Sequence, residues 1–256
     1  MKLKTNLFML FLALFAGNSF AQDINKKDAQ GRKQGKWIKT YEGKKEILYK
    51  GTFKDDKATG LFVFYYETGK VKAKNTYFND GYNSYASTYY PNGKLMSTGK
   101  YVNQKKDSTW VYLDEWGNYI SKDNYRRGEK HGRCIVFYPF NPKVDEGRPN
   151  VLEIANYTNG ERDGDYQKFY RKGKLLTEGT YALGLFEGKV TTYYATGYKK
   201  NETYYKHGVK NGFSRIYDGV GKEKSKVYYR KGHKIEGKEL EDYLKRKKAR
   251  KKRNKN

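Results

Sequence analysis

Gly60-Leu-Phe-Val-Phe-Tyr-Tyr-Glu-Thr-Gly69 and Gly188-Lys-Val-Thr-Thr-Tyr-Tyr-Ala-Thr-Gly197 are two copies of one pattern. Each runs from a Gly through β-branched and aromatic residues to an aromatic pair, then through a short turn to a second Gly. Outward from these copies, the second Gly recurs at Gly69, Gly93 and Gly117, and again at Gly173, Gly197 and Gly221, every 24 residues within each run. The first Gly recurs at Gly35, Gly60, Gly132, Gly164, Gly188 and Gly212, with Ser84 and Ser108 in the two intermediate places. Aromatics close the units at Phe53, Phe78, Tyr101, Tyr125, Tyr157, Tyr181, Tyr205 and Tyr229. Three columns held in phase over this length mark a repeat architecture.

Two strand-like runs joined by a short Gly-containing turn describe a β-hairpin, with Gly supplying the positive φ. Helix is disfavoured because Gly every 9 to 15 residues would leave only short, uncapped segments. A lone hairpin is marginal in water, so the units must stack edge to edge. The predicted fold is all-β: an elongated single-layer antiparallel array of about eight hairpin repeats, about 16 strands and roughly 80 Å long. Two aromatic columns follow, Tyr41, Tyr66, Tyr90, Tyr138, Tyr170 and Tyr194, and beside it Tyr65, Tyr89, Phe137, Phe169, Tyr193 and Tyr217. Alternation along a strand sends neighbouring columns to opposite faces. Asp114 and Asp218 stand where the first column has Tyr, and with Ser84 and Ser108 they predict less regular third, fourth and eighth units.

The runs Gly35-Lys-Trp-Ile-Lys-Thr-Tyr41, Gly164-Asp-Tyr-Gln-Lys-Phe-Tyr170 and Tyr205-Lys-His-Gly208 resemble the MORN repeat in its bacterial, antitoxin-like variant form. The resemblance covers about residues 31–237, with Tyr229-Arg-Lys-Gly232 opening a truncated ninth unit. It implies a hairpin array used for protein interaction, scaffolding or lipid contact.

The N-terminus reads differently. Lys2 and Lys4 precede an apolar run, Leu7 to Ala16, and Ser19-Phe20-Ala21 has small residues where a signal peptidase needs them. We expect a signal peptide over residues 1–21, cleaved after Ala21, a linker over 22–30, and a secreted or periplasmic protein with no transmembrane segment in the mature chain. The single cysteine, Cys134, excludes an internal disulfide and reads as a small buried residue. Tyr accounts for 27 of 256 residues and the net charge is +26, which suits half-buried rings on a wet, basic surface.

No catalytic, cofactor or metal constellation emerges. His131, His207 and His233 stand near turn glycines in separate units, and the acidic residues are scattered. Two departures from the repeat carry the candidate contacts. An insertion over 139–149 holds three of the four prolines and offers Phe140, Lys143 and Arg148 to a protein partner; the competing reading is a tolerated surface loop. The tail over 238–256 begins as a helix with Leu240, Tyr243 and Leu244 on one stripe, which could dock on the last repeat, and ends as a solvated basic run. Lys245, Arg246, Lys247, Lys248, Arg250, Lys251, Lys252 and Arg253 are its candidate contacts to anionic lipid, lipopolysaccharide or a wall polymer, rather than to nucleic acid. An alternative is a glycan-binding module using Trp37, Trp110 and Trp116.

Overall fold

The computed structural model describes residues 24–145 and 147–253; the segment read as a signal peptide, 1–21, falls outside the described residues. A short β1 (Lys26–Lys27) lies on β2 (Lys33–Thr40). The chain meanders on through β3 (Ile47–Lys54), β4 (Lys57–Tyr65), β5 (Val71–Phe78), β6 (Asn83–Tyr89), β7 (Leu95–Val102), β8 (Lys105–Leu113) and β9 (Tyr119–Arg126). Next, β10 (Glu129–Lys130) and β11 (Gly132–Phe137) are the halves of one interrupted strand, both paired with β9. They lead into β12 (Val151–Thr158), β13 (Glu161–Phe169), β14 (Leu175–Ala182), β15 (Leu185–Tyr193) and β16 (Lys199–Lys206). After β17 (Val209–Tyr217), β18 (Glu223–Arg230) and β19 (His233–Ile235) comes the single helix of the described residues, α1 (Gly237–Arg253). Every pairing is antiparallel, and strands close in sequence are neighbours in one open sheet.

Two kinds of turn alternate. One edge of the sheet carries two-residue turns with both φ positive, such as Asp55-Asp56 (50° and 63°) and His207-Gly208 (50° and 74°). Their twist matches that of the flanking strands, which is why such turns favour hairpins. The other edge carries longer turns, such as Tyr66 to Lys70, where Tyr66 N–H donates to Lys70 O (2.8 Å) and Gly69 N–H to Tyr66 O (2.9 Å).

Register corrects one column. Gly35 faces Phe53, Ser84 faces Tyr101 and Ser108 faces Tyr125, but Gly60 faces Tyr77. Tyr77, not Phe78, therefore closes its unit, and the interval becomes 24 on both sides. Phe78 lies on the opposite face and stacks on Tyr85 at 5.4 Å between ring centroids.

The core is a thin stripe on the face that carries the closing aromatics. It runs through the residues two places after each unit's first Gly or Ser, namely Trp37, Phe62, Ala86, Trp110, Cys134, Tyr166, Val190 and Ser214. Trp110 is its best-buried ring at 2% exposure. The closing aromatics meet this stripe edge-on: Phe62 lies 5.2 Å from Phe53 and 5.1 Å from Tyr77, Trp110 4.9 Å from Tyr101, and Tyr166 5.3 Å from Tyr181. Edge-to-face packing at these distances stabilises a pair beyond its buried area. Room for the larger rings comes from the neighbouring strand. A Cβ on Gly99 would come within 2.3 Å of the Trp110 indole, and one on Gly51 equally close to Phe62.

Gly60 opens a bulge, a shift in the β3–β4 register, with φ at 64°. The two serines of this column resolve the same need differently. Ser108 keeps the bulge and adopts φ of 58°, a left-handed conformation that a Cβ disfavours. Ser84 gives the bulge up: β5 and β6 pair without a shift, and the spare residues enlarge the turn Asn79 to Tyr82. Of the units predicted to be less regular, the third differs in its bulge and turn, and the fourth in the strain at Ser108.

Candidate functional site

The long-turn edge is organised by the first tyrosine column. Tyr41 Oη donates to the main-chain oxygen of Tyr65 (2.7 Å), Tyr66 to that of Tyr89 (2.7 Å) and Tyr90 to that of Leu113 (2.9 Å). A second series runs Tyr138 to Phe169 (2.8 Å), Tyr170 to Tyr193 (2.8 Å) and Tyr194 to Tyr217 (3.0 Å). Each series stops at an Asp. Asp114 Oδ1 accepts the N–H of Trp116 and Asn118, and Asp218 Oδ1 those of Val220 and Lys222. Both turns keep the hydrogen bonds of their neighbours, so the Asp units lose the cross-unit bond and not the turn.

The insertion begins where the first series has stopped. It is tied down by Asp145, a side chain 1% exposed that pairs with Arg171 Nη1 (2.6 Å) in the next unit's turn. Asn141 N–H (2.8 Å) and Asn150 Nδ2 (2.7 Å) also donate to this carboxylate. Burial opposes its charge, but the Asn141 N–H and the Arg171 guanidinium together hold Asp145 below the usual carboxylate range. Arg171 also donates to Pro139 O (3.1 Å) and lies 4.8 Å over the Tyr138 ring. The segment is thus a fastened loop. Phe140, 38% exposed, and Arg148 come together at the mouth of a cavity of about 180 Å³ beside Tyr119 and Tyr138, while Lys143 is exposed and outside it.

Helix α1 closes the far end of the sheet. Glu239 in its first turn and a cationic last turn suit the helix dipole, and Lys and Arg are good helix formers. Those preferences carry the helix through the basic run to Arg253, the helical of the two states, helical or disordered, open to this tail. Leu240, Tyr243 and Leu244 are half-buried. Tyr243 packs 5.6 Å from Tyr228, which is 4% exposed, and Lys247 Nζ donates to the Tyr228 hydroxyl (3.4 Å). Tyr228 alternates with Tyr229, so α1 covers the face opposite the closing aromatics. Arg246, Lys247, Arg250 and Arg253 line one groove with Arg230 of β18. Lys247 and Lys248 border a second cavity, and Lys245 borders neither. Lys251 and Lys252 lie in the helix, but their side chains are outside what is described.

The family model described as the MORN repeat variant matches residues 58–79, 85–103 and 162–182. These three segments are similar to the MORN repeat variant. The three matches fall on both sides of the insertion, within a sheet whose first and last full units pair alike, Gly35 with Phe53 and Gly212 with Tyr229. No curated protein matches the chain. MORN repeats are in general non-catalytic scaffolds.

Within the array, the other singled-out residues are dispersed. Trp110 belongs to the core stripe and donates to Lys100 O (3.0 Å), Trp37 is half-buried, and Trp116 is 75% exposed in a turn. The structure therefore removes Trp110 from any glycan surface. His207 and His233 are exposed at successive short turns, while His131 Nδ1 is buried beside β11 without a hydrogen-bond partner among the described residues. Burial pushes the Cys134 thiol up, which keeps it protonated and unreactive at neutral pH. Glu202, 6% exposed, gathers Lys199 (3.0 Å), Arg215 (2.7 Å) and Lys189 (4.0 Å) on the α1-covered face. Burial opposes its ionisation, but these cations hold its carboxyl below the usual range.

Proposed function

We propose that this protein is an exported, non-enzymatic MORN scaffold that holds an anionic envelope surface through α1 while its array engages a protein partner. The N-terminal apolar segment supports export, with cleavage after Ala21 and residence in the periplasm or beyond. The observation that carries the reading is the docked helix. Tyr243 on Tyr228 fixes α1 to the last repeat, so its cations are presented from a rigid element at one end of the sheet. No helix among the described residues is long and apolar enough to cross a membrane. Surface attachment would then be electrostatic.

Phe140, Lys143 and Arg148 are the residues we assign to the protein partner, on the edge where the tyrosine series is interrupted. Removing residues 245–256 from the mature chain should weaken binding to vesicles containing anionic lipid. Raising salt should weaken the wild type further, because exposed charges are screened over about 8 Å at physiological ionic strength. Binding unchanged by the truncation rejects the surface reading.

A further inference from the structure

Two cavities flank Lys247, and they differ in chemistry. The groove on one side, about 500 Å³, is bordered by Arg230, Tyr243, Arg246, Lys247, Arg250 and Arg253. Tyr243 and the last four fall at spacings of three and four along α1, hence on one helix face, and Arg230 comes to them from β18. Arg230 rests on the Tyr243 ring (5.0 Å) and Arg246 donates to the main-chain oxygen of Asp242 (3.2 Å), so neither is neutralised by a carboxylate among the described residues. The cavity on the other side, about 470 Å³, has Phe213, Tyr228 and Leu244 in its wall with Arg215 and Lys248 at its rim. Phe213 and Tyr228 pack edge-on at 4.9 Å, giving it an apolar floor. Its size lies within the roughly 300–1,000 Å³ typical of small-molecule sites.

We propose that this junction of α1 and the last repeat binds a phosphorylated amphiphile, with phosphate in the arginine groove and hydrocarbon on the Phe213–Tyr228 floor. Guanidinium groups pair with phosphate bidentately, and no carboxylate lines this groove to compete for them. Lys247, bordering both cavities, stands where the headgroup joins the chain. The proposal rests on the anionic-surface reading of α1 and sharpens it from a charged patch to a site.

The test is titration calorimetry on the mature chain with lysophosphatidic acid below its micelle concentration, and with glycerol phosphate, the same headgroup without the chain. Lysophosphatidic acid should bind at least about tenfold more tightly than glycerol phosphate. Arg230→Gln with Arg250→Gln should weaken it about tenfold or more, in line with the loss of charge-assisted hydrogen bonds. Lys206→Gln with Lys238→Gln removes the same charge at exposed positions outside both cavities and should change little. Phe213→Ala, which leaves every guanidinium in place, should weaken lysophosphatidic acid but not glycerol phosphate. Equal losses in the two charge pairs overturn the site and leave the surface reading standing. Equal affinity for the two probes overturns the amphiphile. If the wild type binds neither probe nor anionic vesicles, both readings fall.

Discussion

Ser108 shows what a single residue costs when a repeat demands a conformation. Its φ of 58° is close to those that Gly60 (64°) and Gly35 (69°) occupy without penalty, and left-handed backbone costs an L-residue about 1–2 kcal/mol. Ser108→Gly should therefore stabilise the chain by about 0.5–1 kcal/mol once the extra chain entropy of Gly is set against it, seen as a higher urea midpoint. An unchanged midpoint would mean the strain is absorbed elsewhere. Gly99 is the opposite case. Gly99→Ala places a methyl inside the Trp110 ring and should destabilise by about 1–3 kcal/mol, the usual penalty of overpacking. The two positions also show which columns are legible. Turn and bulge glycines repeat because the backbone there accepts few residues, so the period stands out in the sequence. The core stripe holds Trp, Phe, Ala, Trp, Cys, Tyr, Val and Ser in turn, since each ring need only match the gap beside it. Only Trp occurs twice, at Trp37 and Trp110, and the stripe stays hidden until the register is known. Phe78 is a related case: it sits beside Tyr77, and only the uneven 25- and 23-residue intervals around it point to the right partner.

At the scale of one element, the insertion is governed by a contact the sequence does not announce. Asp145 and Arg171 lie 26 residues apart, and nothing in either neighbourhood marks them as partners. The pair has a pH signature with a definite sign. The folded state holds Asp145 below the ordinary aspartate value of 3.8, so its contribution is complete at neutral pH and fades as pH falls below that value. Asp145→Asn should lower the urea midpoint at pH 6, with the gap between variant and wild type narrowing by pH 3. A gap of constant size would show that the carboxylate charge is not what fastens the loop. Helix α1 illustrates the same limit. Its apolar stripe was visible in the tail, but Tyr228, Arg230 and Phe213, which receive it, looked like ordinary members of the last repeat.

Over the whole molecule, contacts run between neighbouring strands, so cooperativity must pass along the sheet unit by unit. It has one weak seam. β9 meets the interrupted pair β10 and β11 through four register pairs, where β3 and β4 share five, and the tyrosine bond that would span this seam is missing at Asp114. Trp37, Trp110 and Trp116 all lie on the N-terminal side of it. Tryptophan fluorescence thus reports one block, while far-ultraviolet circular dichroism reports both. Their urea transitions should differ in midpoint; superimposable curves would mean that the array unfolds as one cooperative body.

The tyrosine hydroxyls end on main-chain oxygens, and that choice of acceptor has a consequence for how such a chain can change. A carbonyl is present whatever side chain occupies the position, so one unit docks on the next without requiring a matched neighbour. Tyr41 reaches Tyr65 and Tyr90 reaches Leu113 by the same bond. Copying or deleting a 24-residue segment would leave the joint on either side chemically intact. Length can then drift in steps of two strands, about 10 Å each, while the helix at one end stays the same distance from the last unit and moves steadily away from the first.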